Sequence, residues 1–107
     1  MKLLNAFSLQ MIDLSFDIFD ISGQEILKEE AIAILKRKGV ESAIGHEQTA
    51  KILSNELGMD IPFNRVNVHL ERGESAIVAQ IIGGRLPEGV TTLPDGFKMK
   101  YIIIQVK

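Results

Sequence analysis

Residues 65–82 read RVNVHLERGESAIVAQII, and this stretch decides the fold class. From Arg65 to Glu71 apolar and polar residues alternate, with Val66, Val68 and Leu70 facing one way and Arg65, Asn67, His69 and Glu71 the other. A period of two is that of a half-buried strand. Glu71 to Glu74, with Gly73, predicts a hairpin loop leading into a second strand over Ala76 to Ile82. Downstream, Gly83 to Gly96 is rich in Gly and Pro and reads as mostly irregular, and Tyr101 to Val106 reads as a final strand. Upstream, Lys2 to Ala6 reads as a short buried strand. Leu14, Phe16 and Ile18 alternate with Ser15 and Asp17 and predict another strand.

Two helices are predicted between these β segments. Ser22 opens Ser-Gly-Gln-Glu, which with Glu25 reads as a capping box. A helix should then run to about Lys38, with Leu27, Ala31, Ile34 and Leu35 on one face. Lys36, Arg37 and Lys38 suit its negative end, and Gly39 suits its stop. The second helix is predicted over about His46 to Leu57, striped by Ala50, Leu53 and Leu57 and ended by Gly58. The expected order is strand, strand, helix, helix, then three strands. That is α+β: a single domain over residues 1–107, with a mixed, mainly β sheet and helices packed on one face.

A chain of 107 residues can bury roughly two-thirds of its unfolded surface, so it can form a core without staples. Twelve basic and fourteen acidic residues give a net charge of −2. That argues against a duplex nucleic-acid partner, which needs a basic face, but leaves room for a small anion pocket. With no cysteine, a thiolate nucleophile and a Cys-ligated metal are excluded. The uncharged run Leu3 to Ile12 is too short to cross a bilayer. The expectation is a cytoplasmic protein with no membrane partner. A hydrophobic content of 46% points toward an apolar subunit interface.

Three constellations can carry chemistry. Gly45-His46 sits where a loop enters a helix, and unpaired N–H groups there can hold a phosphate beside an imidazole proton donor. The bland alternative is a surface histidine at a helix start. Gly83-Gly84-Arg85-Leu86-Pro87-Glu88-Gly89 makes a tight excursion after a strand. Arg85 can clamp a phosphate and Glu88 can orient or deprotonate a hydroxyl, or the two are an ordinary polar turn. Arg65, Asn67 and His69 can line a groove, or be the solvated face of a sheet. Asn5 and Ser8 close the first strand and can meet a ligand, although a cap for a short helix over Leu9 to Ile12 is the ordinary reading. His46 and His69 lack metal-ligand spacing, so no metal and no cofactor is expected.

Four pieces in register carry a family resemblance: Leu4-Asn5-Ala6-Phe7-Ser8-Leu9; Ile44-Gly45-His46 with Thr49-Ala50; Asn64-Arg65-Val66; and Arg85-Leu86 followed by Glu88-Gly89. From about Leu3 to Val106 the chain resembles the viral anti-CRISPR ring nucleases and their cellular relatives. The resemblance implies a homodimer that binds cyclic tetra-adenylate, the type III CRISPR second messenger. It implies a phosphodiesterase that cleaves the ring without metal to linear di-adenylates by 2′-hydroxyl attack, so switching off the signal. His46 would be the general acid, Arg85 would stabilise the phosphate, and Glu88 would position or activate the 2′-hydroxyl. Gly45, Asn5, Ser8, Arg65 and Gln80 would contribute to the ligand pocket. Two other classes remain open at this point: a non-catalytic dimer that sequesters a cyclic oligonucleotide, and a structural or interaction module. Glu47, beside His46, can raise the imidazole pKa or repel an anionic ligand.

Overall fold

Among the described residues five strands and two helices build the domain, in the order β1 (Lys2–Leu4), β2 (Ile21–Ile26), α1 (Lys28–Lys38), β3 (Glu41–Ala43), α2 (Glu47–Leu57), β4 (Ser75–Ile82) and β5 (Lys98–Val106). The structure, a computed structural model, describes residues 1–12 and 19–107. The strands form one sheet in the order β2-β5-β4-β1-β3. β1 runs parallel to both β3 and β4, whereas β5 is antiparallel to β4 and β2. The sheet is therefore mixed, and the α+β class expected from the sequence holds.

Each face of the sheet carries its own apolar cluster. Leu3, Ile77, Ala79 and Tyr101 pack with Ala31 and Leu35 of α1 and with Ala50, Leu53 and Leu57 of α2. Both helices thus cover the same face, as expected, but the predicted α1 stripe is realised only in part: Ala31 and Leu35 are buried and Ile34 partly so, whereas Leu27 precedes the helix as its N-cap and is 67% exposed. On the other face Leu4, Ala76, Val78, Ile104 and Val106 pack with Ile12 and Leu70, from segments outside the strands. A short 3-10 turn, Leu9–Met11, lies at this second face.

The carboxyl ends of both helices follow the sequence closely. Gly39 has φ +80° and its N–H donates to the Leu35 carbonyl. Gly58 closes α2 in the left-handed conformation, which glycine adopts without a Cβ penalty. The start of α1 differs from expectation. Ser22 to Glu25 belong to β2, whose six residues each pair with β5. The local Ser-x-x-Glu signal is overridden by that ladder. The Glu30 carboxylate instead accepts from the Leu27 N–H at 3.0 Å, so half a capping box forms five residues later.

Arg65 to Glu71 is not a sheet strand, which corrects the hairpin prediction. Both edges of β4 are already taken, by β1 and β5, so no edge is free for a hairpin partner. The alternation serves packing instead: Leu70 is buried and bridged to Ile12, and Val68 is half-buried, while Val66 is 52% exposed. Arg65, Asn67 and His69 are exposed along this segment, which has no regular secondary structure, and do not line a sheet face. β3 was not anticipated, and its three residues exist as a strand through pairing with β1. The predicted strand around Leu14, Phe16 and Ile18 lies outside the described residues.

Two local features give stability predictions. The Lys2 ammonium meets the Glu74 carboxylate at 2.9 Å, and the Glu71 N–H donates to the same carboxylate. The Lys2 hydrogen bond first, then the Glu71 bond, hold the Glu74 pKa below its ordinary value. A depressed folded pKa contributes stability above the unfolded pKa, and that contribution is lost as pH falls through the folded value. Both side chains are partly exposed, so the pair is worth at most about 1 kcal/mol. Glu74→Gln should lower stability by that amount at pH 7 and leave it unchanged in strong acid, as read by urea denaturation.

Tyr101 is buried between β5 and the helices, and among the described residues its hydroxyl meets no hydrogen-bonding group. Burial, with the negative charge of Glu56, pushes its pKa above the usual tyrosine range, so the phenol stays neutral. A buried hydroxyl without a partner costs about 1–3 kcal/mol. Tyr101→Phe should therefore raise the denaturation midpoint; a clear fall would show that the hydroxyl is bonded in solution.

Candidate functional site

Parallel strands β1, β3 and β4 point their carboxyl ends the same way, and part of the predicted site follows those ends. In open parallel α/β sheets ligands sit outside the carboxyl ends of the strands. Asn5 follows β1 directly, Gly45 and His46 follow β3, and Arg85 to Glu88 lie in the loop after β4.

Asn5 does not cap the 3-10 turn. Its Oδ1 accepts from the Gly45 N–H at 3.1 Å, tying the exit of β1 to the approach to α2. The Gly45 backbone is therefore held in place, and that N–H is already engaged by protein. A Cβ at Gly45 would stand 3.6 Å from Cγ of Arg65, an ordinary distance, so Arg65 packs alongside this turn. Asn64 fastens the same region: its N–H donates to the Ile44 carbonyl at 2.9 Å and its Nδ2 to the Ser42 carbonyl at 2.8 Å. The Ser42 hydroxyl, buried, donates to Pro62 O at 2.6 Å.

His46 is the N-cap residue of α2, in an extended conformation and without a side-chain capping bond. Its imidazole is exposed. Because the His46 side chain makes no capping bond, the first-turn N–H groups can meet an anion, assisted by the helix dipole. Glu47, the carboxylate feared as a repellent, stands 3.8 Å from the Lys51 ammonium, which offsets part of its charge.

The loop after β4 is brought to α2 by side chains that sequence reading passed over. The Gln48 amide donates to Pro87 O at 2.7 Å, and the Asn55 amide donates to Thr91 O at 2.6 Å. Arg85 and Glu88 are both exposed on this loop, beside the helix that starts at His46. Nothing in the spacing of Gln48 or Asn55 distinguishes them from ordinary helix-surface amides. Their role becomes visible when the loop they hold is placed.

The remaining predicted residues are less concentrated. Gln80 lies on β4 on the face away from the helices, exposed, opposite Lys100 of β5. Ser8 caps the 3-10 turn, its Oγ accepting from the Gln10 N–H at 3.3 Å, as the ordinary reading holds. It also lines an open cleft of about 370 Å³ with Met11, Val66, Asn67 and His69. Among the described residues no group of three His, Asp or Glu is placed to hold a metal ion. No helix is long and apolar enough to cross a membrane, among the same residues.

Comparison with known proteins shows that the chain is similar to proteins of Sulfolobus and Acidianus viruses. A family model described as STIV B116-like matches residues 1–101. Uncharacterized protein 26 of Sulfolobus islandicus filamentous virus is 39% identical over 69 residues, which is 64% of this chain and 58% of that protein. Uncharacterized protein ORF117 of Acidianus two-tailed virus is 36% identical over 93 residues, covering 81% of this chain and 76% of that protein. Among solved structures, B116 of Sulfolobus turreted icosahedral virus superposes with a TM-score of 0.80 at 26% identity, over 97% of each chain. The fold is therefore shared over nearly the whole of both chains.

Proposed function

The chain belongs to the STIV B116-like family, and from that premise we propose that it is a metal-independent ring nuclease that cleaves cyclic tetra-adenylate to linear di-adenylates. One observation carries the reading. Asn5, Gly45-His46 and the Arg85–Glu88 loop converge at the carboxyl ends of β1, β3 and β4, with the loop bonded to the helix that His46 begins. These are the residues on which the resemblance to ring nucleases rests.

The chemistry needs what this end of the sheet offers. A ribose 2′-oxygen attacks the adjacent phosphorus and the bond to the 5′-oxygen breaks. The 5′-oxygen leaves as a hydroxyl after taking a proton from His46, and the fragment keeps a cyclic 2′,3′-phosphate. Glu88 accepts the 2′-hydroxyl proton or orients that hydroxyl. Arg85 neutralises charge growing on the phosphate oxygens. The α2 N-terminus offers further N–H donors. A homodimer suits a ring of four identical units, since twofold-related sites can engage opposite phosphates. Arg65 and Arg85 of each copy then supply positive charge that the net −2 of the chain does not.

The test is single-turnover conversion of labelled cyclic tetra-adenylate in EDTA. Linear di-adenylates appearing at a rate unchanged by EDTA support the reading. Inhibition by EDTA sinks the metal-free mechanism, and an intact ring that is still tightly bound replaces the nuclease with a sequestering protein.

A further inference from the structure

We propose that Gln48 and Asn55 are positioning residues, a two-point latch that docks the Arg85–Glu88 loop onto the helix headed by His46. The proposal rests on the ring-nuclease reading for its reaction and on geometry for its latch.

The β4–β5 connection runs from Gly83 to Phe97 without regular structure, long for neighbouring antiparallel strands. Loops of that length move unless something holds them. Among the described residues, three interactions do so here. At the neck, the Phe97 ring lies against Gly83, so close that a Cβ there would stand 2.8 Å from the ring. Further along, Gln48 Nε2 reaches Pro87 O at 2.7 Å and Asn55 Nδ2 reaches Thr91 O at 2.6 Å.

Gln48 and Asn55 are seven residues apart on α2, two turns, and so share one face of the helix. Their carbonyl partners bracket Glu88. Pro87 precedes it directly, and Arg85 is two residues further back. A groove of about 290 Å³, lined by Gln48, Lys51, Val90 and Thr91, remains between helix and loop. The docked loop is therefore held at separate points rather than by continuous packing. Removing both amides should release it without touching the core, because Gln48 is half-buried and Asn55 exposed.

His46 sits on α2 itself, whereas Arg85 and Glu88 sit on the loop. The latch therefore sets the distance between the proton donor and the groups that handle the phosphate and the 2′-hydroxyl. Small misplacements of such groups cost rate more than binding.

The experiment compares the parent with Gln48→Met/Asn55→Leu, which keeps side-chain bulk and removes both donors, and with each single variant. Amide hydrogen exchange is followed over residues 84–92, with β1 and β4 as internal references. Single-turnover cleavage of cyclic tetra-adenylate is followed at rising ring concentration. The expected result is exchange of the loop amides raised about tenfold with the strands unchanged. The saturating rate should fall about tenfold while half-saturation moves less than twofold, with each single variant in between. Unchanged loop exchange would overturn the latch. Raised exchange with a parent-like rate would overturn the positioning role. A parent that leaves the ring intact would sink the ring-nuclease reading and the positioning role with it, and the exchange result would still decide whether the two amides hold the loop.

Discussion

His46→Ala is expected to slow ring cleavage by about 10²–10⁴-fold while leaving ring binding nearly intact. The magnitude is that of one general acid. Without it, the departing 5′-oxygen leaves as an alkoxide or takes its proton from water. Binding should persist because the groups proposed to hold the ring lie elsewhere: Arg65 beside Gly45, Arg85 on the loop and the N–H groups of α2. His46 is exposed and makes no capping bond, so alanine removes little from the fold. An N-cap histidine without such a bond has less to lose than Ser or Asp at the same place. The variant should therefore unfold at nearly the parental denaturant concentration. Single-turnover cleavage beside equilibrium ring binding checks the pair of claims. Parental cleavage would remove His46 from the acid role, and binding lost along with cleavage would make it a ligand-holding group instead.

The legible parts of this fold were those set by local signals. α2 shows its stripe and its glycine stop in the sequence, and both are realised at Leu53, Leu57 and Gly58. Gly39 and the irregular stretch after β4 were equally readable. Failures came where pairing partners decide. Ser22 to Glu25 spells a helix cap but is drawn into a ladder with β5, a partner about eighty residues away. Arg65 to Glu71 spells a strand but finds no open edge on β4. At the site, His46, Arg85 and Glu88 were nameable from residue type and resemblance. The bonds that bring their carriers together were not, because an amide donating to a loop carbonyl leaves no pattern in the chain. Asn5 stands between these cases: its place as a polar residue at a strand end is legible, whereas its partner, the Gly45 N–H, depends on the parallel pairing of β1 and β3.

Gly83→Ala should be more damaging than alanine at Gly84, and it links stability to the proposed site. Gly83 has φ +141°, a conformation that side-chain-bearing residues rarely adopt. Forcing alanine into it costs about 1–3 kcal/mol. The new Cβ would also stand 2.8 Å from Cδ2 and 2.9 Å from Cγ of Phe97, and 3.0 Å from its Cα. The ring can swing away, but the Cα belongs to the backbone where β5 begins. Relief therefore means moving the neck of the loop that carries Arg85 and Glu88. Gly84→Ala is the control, since φ there is also positive, +104°, but its Cβ would meet no atom within 4 Å. Both variants carry backbone strain, and Gly83→Ala adds the collision with Phe97. In urea denaturation Gly83→Ala should lose more stability than Gly84→Ala. Phe97→Ala placed on top should recover only part of the difference, because the crowding against the residue 97 backbone stays. Ring cleavage should fall further in Gly83→Ala than its loss of folded protein accounts for. Equal stability of the two glycine variants would show that Phe97 does not hold the loop neck.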